Sequence, residues 1–181
     1  MPEDLNLEEL QSLLKNKSPE ESLRILSLQF PGKVVFTTSF GIEDQVLTDI
    51  IFTNDIQIEI VTLDTGRLFP ETYKVFADTL KKYGKEIKVF FPDNESVEKM
   101  VTEKGPYSFY ESVFNRAECC RIRKVIPLSR ALNEKKCWIS GIRAEQSENR
   151  SHMEQLEFDF NKQLFKFYPL FDLTFNDVKD Y

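Results

Sequence analysis

The segment 33-KVVFTTSFGIEDQVLTDIIF-52 changes its hydrophobic period halfway along. Its first part, "KVVFTT" (33–38), is a short β-branched run, the pattern of a buried strand. Its last part, "IEDQVLTDIIF", places apolar residues at Ile42, Val46, Leu47, Ile50 and Ile51, which is helical spacing. Between them, "TTSFGIED" offers three hydroxyls ending at Ser39, then Gly41, then a helix start that includes Asp44. Small residues let backbone N–H groups approach an anion, and a helix N-terminus adds a favourable field. The same residues also suit a plain tight turn. The Gly-Lys-Ser/Thr of a Walker A loop is absent.

Upstream, "SPEE" at 18–21 is a capping box, predicting a helix to about Gln29 that stops before Pro31-Gly32. Residues 1–30 thus read as a helical N-terminal segment. Downstream, "IQIEIVTL" (56–63) is a second strand, and "PETYKVFADTLKKYG" is a helix with Pro70 at its start and Gly84 at its end. "EIKVFFP" is a third strand, helices fill about 94–132, and "CWIS" (137–140) is a fourth strand. "QLEFDF" and "LFKFYPL" alternate as shorter strands, and "LTFNDVKDY" opens a helix capped by Thr174. Alternating strands and helices indicate an α/β fold in one domain over 1–181, a parallel sheet with helices on both faces.

The 181 residues suit one domain, and 41% hydrophobic with 30% charged residues is an ordinary globular composition. No apolar run approaches the roughly 18 residues of a membrane span. The acidic N-terminus lacks a signal-peptide pattern, so a cytoplasmic protein is expected, with no membrane partner. Three cysteines there argue against a disulfide framework and leave metal or redox chemistry open. The net charge is −6, yet 116–150 holds nine basic and four acidic residues, a local +5 that leaves −11 elsewhere. That asymmetry suits a local anionic ligand better than a nucleic-acid surface, though a solvated basic helix face has the same pattern. His152 is the only histidine, which disfavours a histidine base or a histidine-rich metal site.

Two more strand ends carry ligand-type residues, at the place where open parallel sheets bind ligands. "LDTGRLFPETY" sets Leu63, Asp64, Thr65, Gly66 and the always-charged Arg67 after the second strand. A strand-to-helix turn stabilised by Asp and Thr explains the same residues. "SGIRAEQSENR" sets Gly141 after the fourth strand, with Arg143 and Arg150 available to clamp phosphate or sulfate oxygens. The most unusual stretch is 115-NRAECCRIRKVIPLSRAL-132, where Cys119 and Cys120 adjoin Arg121, Arg123 and Lys124. Packing, a disulfide and half of a metal site all fit adjacent cysteines.

Taken together and in this order, "TTSFGIEDQVLTDII", "LDTGRLFPETY", "CCRIRKVIPLSRAL" and "WISGIRAEQSENR" resemble the phosphoadenylyl-sulfate and adenylyl-sulfate reductases of assimilatory sulfate reduction, from about Lys33 onward. The resemblance implies an adenine nucleotide α-hydrolase-like (pyrophosphatase-loop) fold. It implies release of sulfite and a nucleotide from an adenylyl sulfate, with electrons from thioredoxin or glutaredoxin. A Cys-Cys pair followed by Arg-Lys marks the iron–sulfur subtype, which usually prefers adenylyl sulfate to its 3′-phosphorylated form. Cys119 and Cys120 would then be two of the four ligands of a [4Fe–4S] cluster. Lys124 would act catalytically between cluster and substrate, with Arg123 as a second electrostatic support. Ser39, Gly41, Asp44, 63–67, Arg123, Gly141, Arg143 and Arg150 would contact adenylyl sulfate or AMP.

Two elements of the family pattern are missing from these residues: a downstream C-x-x-C pair and a Glu-Cys-Gly tail bearing the nucleophilic cysteine. Cys137 matches no ligand position and is expected to be packing. The expectation is a chain trimmed of its catalytic tail, able to bind nucleotide but neither to complete a cluster nor to turn over. The alternatives are a reductase of the 3′-phosphorylated substrate, and a pyrophosphatase-loop nucleotide-activating enzyme such as a sulfate adenylyltransferase subunit. The sequence leaves both a monomer and a homo-oligomer open.

Overall fold

β1 (Val34–Thr38) lies at the centre of the molecule because its β-branched residues are buried on both faces. The computed structural model describes residues 6–147 and 153–181. Around β1 stand β2 (Glu59–Leu63), β3 (Lys88–Phe90), β4 (Cys137–Ile139), β5 (Leu156–Asp159) and β6 (Leu164–Phe167), in the order β3-β2-β1-β4-β6-β5. Every pairing is parallel except β5 with β6. Only four residues, 160–163, join those two strands. A parallel crossover needs a dozen or more, so a hairpin is the one solution open to them. The strand expected over 56–63 begins at Glu59, which pairs with Val35 of β1; just before it the Ile58 amide turns back to the Ile56 carbonyl at 2.8 Å instead of joining the ladder.

The helices are α1 (Leu7–Leu14), α2 (Pro19–Gln29), α3 (Ile42–Thr53), α4 (Pro70–Tyr83), α5 (Asn94–Lys104), α6 (Val113–Cys120), α7 (Ile126–Ala131) and α8 (Phe175–Asp180). The expected capping box opens α2: the Glu21 amide donates to Ser18 Oγ at 3.2 Å and the Ser18 amide to Glu21 Oε2 at 2.8 Å. Such a cap contributes about 1 kcal/mol. One face of the sheet packs Val34 and Phe36 against Leu10, Leu23, Leu26, Leu47 and Ile51, all in one apolar cluster. The other face packs Val35 and Val61 against Ala131, Leu132 and Leu128. The period-2 alternation of β1 thus feeds two cores, with helices on both faces as expected. No helix among the described residues is long and apolar enough to cross a membrane.

The helical stretch expected over 94–132 is broken in a way that matters for the site. After α5 come a 3₁₀ turn (Ser108–Tyr110), then α6, a π-helical turn (Arg121–Val125) and α7. The cause is Pro127. It has no N–H to give the Arg123 carbonyl, and its ring would collide with that carbonyl in an α-helix. The helix widens instead, and the Ile126 amide bonds the Arg121 carbonyl five residues back.

Candidate functional site

The chain runs β1, β2, β3 outward in one direction and then returns to place β4 on the opposite side of β1. At this switch the loops after β1 and β4 diverge and leave a crevice beyond the carboxyl ends of the strands. A cavity of about 510 Å³ lies there. Of the residues expected at a ligand, Ser39, Gly41, Asp44, Leu63, Thr65, Lys124 and Gly141 line it together. Three separate sequence segments and one helix therefore converge on one place.

The loop after β1 is held tightly. Phe40 has a left-handed backbone (φ 64°), uncommon for a bulky residue. Its ring stacks on Phe76 at 4.7 Å between centroids, and its amide donates to Thr38 Oγ1 at 3.1 Å. Asp44, in the first turn of α3, accepts the Ser39 amide at 2.6 Å and the Ser39 hydroxyl at 2.7 Å. Burial pushes the Asp44 carboxyl above its usual range, against the lowering pull of its Ser39 and Gly141 donors. The Ser39 donors are thus engaged by Asp44, whereas Gly41 opens the helix with no side-chain cap.

The loop after β2 turns at Gly66, whose φ of 69° favours glycine. Asp64 is buried and faces away from the cavity, accepting the Gly66 amide at 2.8 Å and the Tyr73 hydroxyl at 2.9 Å. Below this turn lies Arg123, buried, with Nη1 donating to the Thr65 carbonyl at 2.7 Å. The π turn therefore sends Arg123 under the loop while its neighbour Lys124 reaches the cavity. Lys124 is exposed and makes no ion pair among the described residues.

Three groups of these residues lie elsewhere than in the cavity wall. Arg67 does not line the cavity; it donates to the Pro106 carbonyl at 2.9 Å and stacks over Tyr107 and Phe109, because those rings lie beside it. Arg143 does not line it either. Its buried guanidinium is ion-paired to Glu43 and to Glu145, each at 2.9 Å. Burial works to raise Glu43, but its own backbone amide, Arg143 and Gln146 outweigh it and hold the carboxyl below its usual range. Asp64, Gly66 and Arg123 support the loop from outside the cavity rather than lining it. Arg150 lies outside the described residues.

Sequence reasoning missed Trp138, Lys166 and Tyr168, which also line the cavity. Trp138 donates to Thr37 Oγ1 at 2.8 Å, and Lys166 pairs with Asp159 at 2.8 Å. Lys166 and Tyr168 share the i, i+2 spacing of one strand face. That signal has meaning only once β6 is known to lie beside β4.

Cys119 and Cys120 end α6, the first half-buried and the second exposed, both free thiols. They do not line the cavity, and among the described residues no group of three or more His, Cys, Asp or Glu is arranged to hold a metal ion. Cys137 is fully buried at the start of β4, as expected for packing, and burial pushes its thiol well above the usual value.

Residues 33–181 match the family model described as the phosphoadenosine phosphosulfate reductase domain. An adenosine 5′-phosphosulfate reductase of Agrobacterium fabrum is 43% identical over 150 residues, which is 83% of this chain and 58% of that protein. Another, from Pseudomonas aeruginosa, is 37% identical across 100% of this chain and 69% of its own length. A crystal structure of phosphoadenylyl-sulfate reductase from Candida auris, a phosphate complex, matches with a TM-score of 0.82 and 26% identity, covering 99% of this chain and 86% of that one. A Candida glabrata FMN adenylyltransferase, at 14% identity and a TM-score of 0.54, shares the fold alone. The chain spans under two thirds of the length of several of the curated relatives it matches, 58% in one case and 53% in another.

Proposed function

Because the chain belongs to the phosphoadenosine phosphosulfate reductase family, we propose that its cavity takes adenylyl sulfate and that the whole enzyme reduces it to sulfite and AMP. It would do so as an oxidoreductase of sulfate assimilation in the cytoplasm. In this reading sulfur passes from the sulfate to the sulfite level, and a dithiol protein such as thioredoxin or glutaredoxin supplies two electrons and becomes a disulfide.

The observation that carries the reading is the charge balance of the crevice. Its two carboxylates are quenched, Glu43 by Arg143 and Asp44 by the donors around it. Lys166 is neutralised by Asp159. Among the described residues Lys124 remains as a lining cation without a carboxylate, facing a space walled in part by Leu68, Trp138 and Ile142. Such a site favours one anionic group beside an apolar ring. Leu63 and Thr65 would flank the adenine, Gly41 and Gly141 the nucleoside, and Lys124 the phosphosulfate, whose departing sulfite gains negative charge. Arg150 is a second proposed phosphosulfate contact.

Cys119 and Cys120 are accessible thiols on adjacent positions, and that donor chemistry fits two corners of a [4Fe–4S] cluster held by four cysteines. When bound, the cluster would supply iron–sulfur charge whose field the Lys124 ammonium can moderate.

The test is calorimetric titration of AMP into the chain and into Lys124→Ala. Losing one charge-assisted bond should weaken binding about tenfold to a hundredfold. Equal affinity would remove Lys124 from the site. The Candida auris neighbour favours a second reading, in which the 3′-phosphorylated substrate is used. Tighter binding of adenosine 3′,5′-bisphosphate than of AMP would support it.

A further inference from the structure

The Asp44 carboxylate touches both sides of the crevice. Its Oδ2 holds the Ser39 amide and hydroxyl, on the loop after β1. The Gly141 amide, on the loop after β4, donates to the same carboxylate. The approach is so close that a Cβ on Gly141 would lie 2.4 Å from Asp44 Oδ1 and 3.1 Å from Glu43 Cβ. A Cβ there would have to push the Asp44 carboxylate off the Gly141 loop, so the close bridge depends on glycine at this position. Beside this bridge runs a second: Arg143 and Gln146, from the loop after β4, both donate to Glu43 Oε1. Two consecutive carboxylates of α3 therefore fasten the two loops that bound the cavity.

We propose that Asp44 is a positioning residue: it does not bind the ligand but fixes the gap between the Ser39 and Gly141 loops into which the nucleotide fits. The inference rests on the reading of the cavity as a nucleotide site. A carboxylate serves here because both its oxygens accept. Asparagine would turn an NH2 donor toward one of the two loops, where an N–H already points.

The ionised carboxylate is not there for stability. Its folded value is raised, so between the ordinary Asp value and that raised value the folded state binds more protons than the unfolded state. Stability therefore falls as pH rises through that window. At neutral pH the charge costs the fold, and what Asp44 contributes is geometry.

The experiment uses the 181-residue chain, with Asp44→Asn and Gly141→Ala as variants, and AMP and adenosine as probes. Each variant should lose about tenfold or more in AMP affinity, the scale of one charge-assisted hydrogen bond. Asp44→Asn removes a buried charge that costs the fold and adds an N–H facing another, opposed effects that leave the melting temperature at neutral pH close to wild type. Adenosine lacks the titrating phosphate of AMP, so above the range of its ring nitrogen the protein's own protons are what it reads. Wild-type affinity for adenosine should fall as pH drops through the raised Asp44 range, and Asp44→Asn should be flat. The other charged groups near Asp44 are Glu43, whose carboxyl is held below its usual range, Arg143, Lys124, Lys166, and Glu145 behind Arg143. Asp44→Asn binding AMP as tightly as wild type would overturn the inference. So would a fall in melting temperature that accounts for the lost affinity. Failure of wild type to bind AMP or adenosine would instead remove the nucleotide reading, and this inference with it.

Discussion

Arg143 leaves 5% of its side chain exposed and Glu43 leaves 14%, so their ion pair sits in a poorly solvated place. Removing one partner strands the other charge, whereas removing both does not. Arg143→Met should therefore destabilise the fold by about 3–5 kcal/mol, with the double variant Glu43→Gln/Arg143→Met recovering most of the loss. Urea unfolding of the four proteins measures the coupling. Equal losses in the single and double variants would show that Arg143 matters through packing alone. At this scale the sequence was informative about residue type and silent about partners. "SGIR" after a strand advertises an anion clamp, and nothing local reveals that Glu43, a hundred positions earlier, already occupies that guanidinium. Cys137 was legible because a lone cysteine opening an apolar strand has one ordinary place to go, the interior.

The helix that carries the cysteine pair and Lys124 owes its shape to one residue. Pro127→Ala supplies the missing amide to the Arg123 carbonyl and removes the ring that widens the turn. The π turn should then rewind to α, rotating the residues before it by about 100° relative to those after it. Stability should rise by up to about 3 kcal/mol, the helix penalty of proline. AMP affinity should fall as Lys124 leaves the cavity. A stabilised variant with unchanged AMP affinity would disconnect the π turn from the site. Pro127 stands in plain view within "RKVIPL", yet helical periodicity continues on both sides of it. A proline inside a helix signals a disturbance without saying whether it will be a break, a kink or a bulge. The β5–β6 hairpin was hidden differently. Both strands were read from their alternation, and the four-residue link between them was the clue to their antiparallel pairing.

For the molecule as a whole, periodicity identified the strands that carry the site and could not order them. Period and length describe an element by itself, while the cavity arises from which strand lies beside which. The return of β4 to the far side of β1 makes the crevice, and it brings in Trp138, Lys166 and Tyr168. Motif resemblance supplied what periodicity lacked, because the resembling segments all close on this one end of the sheet. In the proposed function the nucleotide binds in the switch-point cavity. Amide hydrogen exchange of the chain with and without saturating AMP tests it most directly, since bound ligand slows local opening. Added protection should concentrate in 37–44, 62–66 and 140–142, the three loops at the carboxyl ends of β1, β2 and β4. Protection centred instead on the amino ends of the strands, or on the aromatic 105–114 segment with these loops unchanged, would contradict it.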